Sequence, residues 1–158
     1  MKKKLLVLVM AFASVAALTG CEKKEDKKEE GTTTTVATPS KLTCVLTEDK
    51  DRTTLYYYFK EGSVYKTSYQ SSTHQKDEKT AKKKKEEFAS KMTELNKNKG
   101  LTTSTSYSGD LYSFSYNFTL AEMDDKTKEL YNEYFKDTDG KSYDDIKKIL
   151  SDATYKCN

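Results

Sequence analysis

One histidine in the whole chain, His74, excludes a histidine-rich metal site. It lies in a polar stretch, read here as a loop between Ser71 and Gln75, with no apolar neighbour. Serine and cysteine hydrolases need a base beside the nucleophile, but both domain cysteines are better used as a disulfide, and a catalytic His74 is not expected. The few glycines of the domain fall at turns, and no phosphate-binding Gly-rich loop is among them. Asp137-Thr138-Asp139-Gly140 has part of a calcium loop, but the register places Phe135 and Ile146 where oxygen ligands are required. That segment reads as a helix-breaking turn. No apolar run is long enough to span a bilayer. The expectation is no metal, no cofactor and no enzymatic activity.

What is present begins with a signal. Lys2, Lys3 and Lys4 precede the apolar run Leu5 to Leu18, the length of a signal-peptide core. Leu18-Thr19-Gly20-Cys21 then resembles the lipobox of bacterial lipoproteins. In that family the cysteine thiol takes up a diacylglycerol, and cleavage falls just before it. The resemblance implies a signal peptide over 1–20, a lipidated and palmitate-bearing Cys21, and a membrane-anchored protein on the extracytoplasmic side. Residues 21–41 read as a flexible tether. Glu22 to Glu30 is charged throughout, Thr32 to Thr35 is polar, and Pro39 is the only proline. Such a stretch buries too little surface to offset its ordering entropy. As a coil its reach is of order 25 Å.

Without its signal the chain loses three lysines and becomes balanced, since the whole chain has Lys+Arg 28 against Asp+Glu 25. The basic pI therefore belongs to the leader, and no nucleic-acid partner is expected. Two cysteines remain, Cys44 and Cys157, at opposite ends of a single domain over 42–158. In an exported chain they are expected to form a disulfide. It would close a loop of more than a hundred residues, worth about 4–5 kcal/mol in the chain-entropy model.

Periodicity supplies the elements. Strands are expected at Leu42 to Thr47, Arg52 to Lys60 and Ser63 to Gln70, with Glu61-Gly62 as a tight turn. Tyr65, Thr67 and Tyr69 would share one side of the third. A helix capped by Asp77 runs from Glu78 to Asn98, with Ala81, Phe88, Met92 and Leu95 as its apolar stripe. Glu78–Lys82 and Glu87–Lys91 have favourable spacing, and Gly100 suits the residue after the helix. A second hairpin joins Leu101–Tyr107 to Leu111–Leu120, whose Tyr112, Phe114, Tyr116, Phe118 and Leu120 face one way. A helix starting at Asp124 or Asp125 buries Leu130, Tyr131, Tyr134 and Phe135. A capping box at Ser142 opens a short helix with Ile146, Ile149 and Leu150. Ala153 to Cys157 would be the last strand. A Cys44–Cys157 bridge sets the first and last strands side by side. The fold class is α+β: a twisted, mainly antiparallel sheet, order βββ-α-ββ-α-α-β, with helices packed on one face.

Two surface features invite binding. Lys82 to Lys85 is the densest charge, although Glu86 and Glu87 beside it suit a solvated helix face. Tyrosine is abundant, at twelve residues, and Tyr56-Tyr57-Tyr58 must turn at least one ring outward. Tyr56, Tyr58 and Tyr65 are the candidate ligand-binding residues. The hairpin Thr54-Leu55-Tyr56-Tyr57-Tyr58-Phe59-Lys60-Glu61-Gly62-Ser63-Val64-Tyr65-Lys66, leading into the Glu78 helix, resembles the small YehR-like bacterial lipoproteins. That resemblance implies an α+β sheet-and-helix fold and carries over no catalytic residue. The expected role is a non-enzymatic interaction module of the cell envelope. A small-ligand or glycan binder using the Tyr-rich sheet is the alternative, and a wall hydrolase ranks behind both. A deep apolar pocket would favour the ligand binder. An exposed apolar patch would favour the protein partner, and a base close to a nucleophile in a cleft would favour the hydrolase.

Overall fold

Strand alternation organises the domain. The computed structural model describes residues 39–158. The signal expected over 1–20, Cys21 and the tether through residue 38 lie outside the described residues. The strands are β1 (Lys41–Glu48), β2 (Asp51–Lys60), β3 (Ser63–His74), β4 (Leu101–Ser108), β5 (Leu111–Thr119) and β6 (Lys156–Cys157). They form one antiparallel sheet in the order β4-β5-β3-β2-β1-β6. Its helices are α1 (Glu78–Leu95), α2 (Asp125–Phe135) and α3 (Tyr143–Asp152). The expected α+β class and element order are thus observed.

Register lines up Leu42, Tyr57, Thr67, Phe118 and Leu101 as one row across five strands. All five side chains are buried. Helix α2 seals this row: Tyr57 meets Phe135 edge-on at 5.6 Å, and Phe118 meets Tyr131 at 5.6 Å. Helix α3 adds Ile146 and Leu150 to the same core. Helix α1 lays Phe88 on Phe114 at 5.1 Å, so it too covers this inner face. Asp77, Asp124 and Ser142 cap the three helices by accepting the N–H of Thr80, Thr127 and Asp145. Asp124 also accepts the Lys99 N–H at 2.9 Å, which ties the approach to β4 to the start of α2.

Several boundaries differ from the sequence reading. The sheet begins earlier, since the Ser40 carbonyl already accepts the Phe59 N–H at 2.9 Å. Strand β3 runs on to His74, so the expected loop from Ser71 is sheet, paired with β5 through His74 and Leu111. A bulge between Tyr58 and Phe59 leaves Tyr65 unpaired, and it does not share the inner side with Thr67 and Tyr69. Helix α1 stops at Leu95, where Asn96 turns back and its side chain accepts the Thr103 N–H at 2.8 Å. Its ion pairs are Lys83–Glu87 at 3.7 Å and Glu94 with Lys97 just past its end at 2.6 Å, in place of the two expected pairs. Gly100 is therefore no helix cap. A Cβ there would lie 2.7 Å from the Met123 backbone nitrogen.

The last strand is only two residues long, because Ala153 and Thr154 are used to end α3. Tyr155 N–H bonds to the Leu150 carbonyl and Thr154 N–H to that of Ser151, with Thr154 at φ 69°. This is a Schellman turn with a threonine where glycine is usual. It delivers Cys157 opposite Cys44, with Cα atoms 4.1 Å apart and the sulfurs at disulfide distance. Backbone bonds between Thr43 and Asn158, at 3.0 and 3.1 Å, flank the pair.

The turn after α2 is held by side chains. Thr138 Oγ1 donates to the Phe135 carbonyl at 3.0 Å, so the Tyr57 hydroxyl donates to Thr138 at 2.9 Å. Burial pushes the Tyr57 phenol far above its ordinary range, and the Thr138 bond offsets only part of that. Below about pH 10 both folded and unfolded chains keep this proton. Above it the unfolded chain ionises and the folded one does not, so stability falls by about 1.4 kcal/mol per pH unit from Tyr57 alone. Burial also pushes the Tyr131 and Tyr134 phenols far up, so chemical denaturation at pH 9, 10 and 11 should show at least this loss, and Tyr57→Phe should make it shallower without abolishing it. The core also holds two hydroxyls, on Thr67 and Thr127, that find no partner among the described residues. Replacing an unsatisfied buried hydroxyl with a methyl removes its desolvation cost. Thr67→Val is expected to raise stability by about 1 kcal/mol, read as a higher urea midpoint at unchanged slope.

Candidate functional site

With all three helices on the inner face, the other face of the sheet is uncovered. Its side chains follow from the register. One outward row is Lys41, Tyr58, Lys66 and Thr119, and the next is Thr43, Tyr56, Ser68, Asn117 and Thr102. Below them run Val45, Thr54, Gln70, Ser115 and Ser104, then Thr47, Arg52, Ser72, Ser113 and Ser106. Lys156 extends the third row from β6. Hydroxyls bond to one another along this surface: Ser113 to Ser72 at 2.8 Å, and Ser104 with Ser115 at 2.8 Å.

The structure brings two of the three candidate tyrosines together. Tyr56 and Tyr58 both point outward, and the Lys41 ammonium lies 4.5 Å from the first ring and 5.5 Å from the second. Lys66 stands over Tyr58 at 5.6 Å. These cation–π contacts are worth about 0.5–1 kcal/mol each at an exposed site, enough to order the rings and amines. Tyr65 is not part of the group. It sits in the bulge and is 48% exposed, the one large hydrophobic side chain so exposed among the described residues.

Beside Tyr56 the face sinks into an open hollow of about 310 Å³. Tyr56, Arg52, Lys50, Gln70, Ser72 and His74 line it. His74 is not in a loop but closes the end of β3. Asp51 accepts its backbone N–H at 2.8 Å and lies 3.8 Å from its ring Nδ1. Two other open hollows, each of about 360 Å³, lie on the far side of the sheet ends and share Asp139. That carboxylate accepts the Tyr131 hydroxyl at 3.0 Å. Among the described residues no group of three acidic, histidine or cysteine side chains is placed to hold a metal ion. Lys82, Lys83 and Lys84 are exposed on α1, away from the uncovered face.

Sequence reasoning missed Arg52, Gln70, Ser72 and His74 as neighbours of Tyr56. From Ser71 to His74 both faces of β3 are polar, so the alternation carries no hydrophobic signal. The one available clue was the run of Ser and Thr, which suits an edge or a solvated strand as well as a loop. Cys44 and Cys157 meet as described above, while Cys21 lies outside the described residues. The chain matches no family model, no curated protein and no solved structure.

Proposed function

We propose that the protein is a lipid-anchored, extracytoplasmic and non-enzymatic binding module of the cell envelope, working through the uncovered face of its sheet. The observation that carries this is the one-sided layering. All helices cover one face, and the other, left uncovered by any helix, carries an ordered array of hydroxyls, amides and two half-buried aromatic rings. Anchoring rests on the Leu18-Thr19-Gly20-Cys21 pattern. Export is supported by Cys44 and Cys157 at disulfide distance, which we take to be oxidised in the mature protein. No helix among the described residues is long and apolar enough to cross a membrane. The hairpin and helix that resemble the YehR-like lipoproteins support kinship with them as part of the same reading.

The partner on that face is better read as a glycan or small polar ligand than as a protein. A protein partner would call for an exposed apolar patch, and the outward rows instead carry threonine, serine and amides. Tyr56 beside a polar hollow is the arrangement that a sugar ring requires, with an apolar face to stack on and hydrogen-bonding groups around it.

Replacing the anchor residue tests the first half. Cys21→Ala should shift the protein from the membrane fraction to the medium or the unprocessed pool. The wild-type mature chain, taken unreduced, should weigh two hydrogen masses less than after reduction. A Cys21→Ala protein that stays membrane-bound and processed would defeat the anchor. For the second half, a photo-crosslinking residue at Ser115 should capture envelope material in cells, whereas one at Lys84 on α1 should not. Equal capture at both positions, or at Lys84 alone, would remove the sheet face as the working surface.

A further inference from the structure

The uncovered face has a charge bias that residues 21–158, taken together, lack. Lys41, Arg52, Lys66 and Lys156 all occupy outward positions of the strands, and His74 and Lys50 join Arg52 at the hollow. Among the described residues no aspartate or glutamate stands at an outward strand position. Glu48 and Asp51 fall on the opposite parity, although Asp51 accepts the His74 backbone N–H and lies 3.8 Å from its ring, which leaves Arg52 and Lys50 as the basic groups of the hollow without a carboxylate partner within 4 Å among the described residues. Helix α1, by contrast, mixes both signs along its length, with Lys83 and Glu87 paired at 3.7 Å.

We infer that this face seats an anionic saccharide chain, a glycan whose sugar units carry carboxylate or phosphate groups. The inference rests on the reading of the protein as a binding module working through the same face. Three observations select this occupant. Outward strand positions whose charged residues are all basic complement an anion. Serine, threonine, glutamine and asparagine stand about 4.8 Å apart along each row, a spacing set by the strands, and offer both donors and acceptors to sugar hydroxyls. Tyr56 and Tyr58 supply flat apolar faces for the rings, with Lys41 holding them in place. A lipid surface fits less well, because the outward rows hold only Val45 and Leu111 as aliphatic groups to insert. In this assignment Arg52 takes the acidic group at the hollow, where its planar fork matches carboxylate or phosphate oxygens. Gln70 and Ser72 bond the neighbouring hydroxyls, and Tyr56 stacks on the ring.

Calorimetric titration of the full protein, in non-ionic detergent with its disulfide intact, tests this. The probes are an oligogalacturonate, a phosphorylated glucan oligomer and a neutral glucan oligomer of the same length. At least one acidic oligomer is expected to bind about tenfold or more tightly than the neutral one, with affinity falling as salt rises. Arg52→Glu and Tyr56→Ala should each weaken it by about tenfold, and Lys83→Glu on α1 should leave it unchanged. Arg52 is exposed and Tyr56 lies half-buried on the outward face, outside the core, so circular dichroism of each variant should match the parent. Equal affinity for neutral and acidic oligomers would overturn the charge selectivity. Equal affinity for phosphatidylglycerol vesicles, oligoglutamate or single-stranded DNA would overturn the saccharide. If no oligomer binds while the crosslinker at Ser115 still captures envelope material, this inference fails and the binding module stands. If both are negative, both fail.

Discussion

A period of two, locked in register across six antiparallel strands, sets both surfaces of this protein at once. A slip of one residue on β2 would expose Leu55, Tyr57 and Phe59 and bury Arg52, Tyr56 and Tyr58. The core and the outward face are therefore a single commitment of the chain. Two devices hold the register locally. The Glu61-Gly62 turn, with both residues at positive φ, matches the twist that a two-residue hairpin needs. At the other side of the sheet Cys44 and Cys157 stand directly opposite, and the Thr43–Asn158 bonds fix their offset. Strand β6 is too short to hold itself there. It depends on the cysteine pair and on the Schellman turn that aims it.

That dependence explains why the helices gather on one face. Each has a single apolar stripe, so each can cover one surface only. Helix α1 leaves β3 and returns to β4 at the edge, which confines it to the end of the sheet near β4 and β5. Helices α2 and α3 then fill the inner face from Phe118 to Leu42 on the way to β6. Aromatic contacts dominate the filling: Tyr69 touches Tyr134 at 4.2 Å, and Tyr131 stacks on Phe135 at 5.2 Å. The abundance of tyrosine is thus mainly a packing fact. Tyr56, Tyr58 and Tyr65 are exceptions to it, and the bulge at Tyr65 separates that residue from the other two.

Legibility followed hydrophobic contrast. Strand β5 alternates aromatic with small polar residues and could be read to within a residue. The caps at Asp77 and Ser142 were equally plain, because a side-chain acceptor three residues ahead of an N–H is a local event. Where contrast vanished, the reading failed. Ser71 to His74 is polar on both sides, so its strand character came only from pairing with β5. Thr67 and Thr127 are core residues in polar dress, and Thr138 enters the core through a hydrogen bond to a residue eighty-one positions away. The ends of α1 and of β6 were set by tertiary events, the Asn96 bond to Thr103 and the reversal at Thr154. Of the uncovered face, Tyr56 and Tyr58 were visible as outward rings. Their neighbours were not, since Arg52, Gln70 and His74 meet them only through the β2–β3 register.

The charge reading shows the same division between composition and geometry. Residues 21–158 hold equal numbers of acids and bases, so that stretch offers no global electrostatic attraction. Yet at physiological salt a charge is felt over only about 8 Å, so a distant carboxylate on a helix does little for an ammonium on the opposite face. What a ligand meets is the local arrangement. Alternation in β1, β2 and β3 sends Lys41, Arg52 and Lys66 outward while Glu48 and Asp51 fall on the other parity. Neutral overall composition and a face of one sign are therefore compatible. Neutrality limits indiscriminate attraction to polyanions at long range, whereas a local excess of one sign acts only at contact distance.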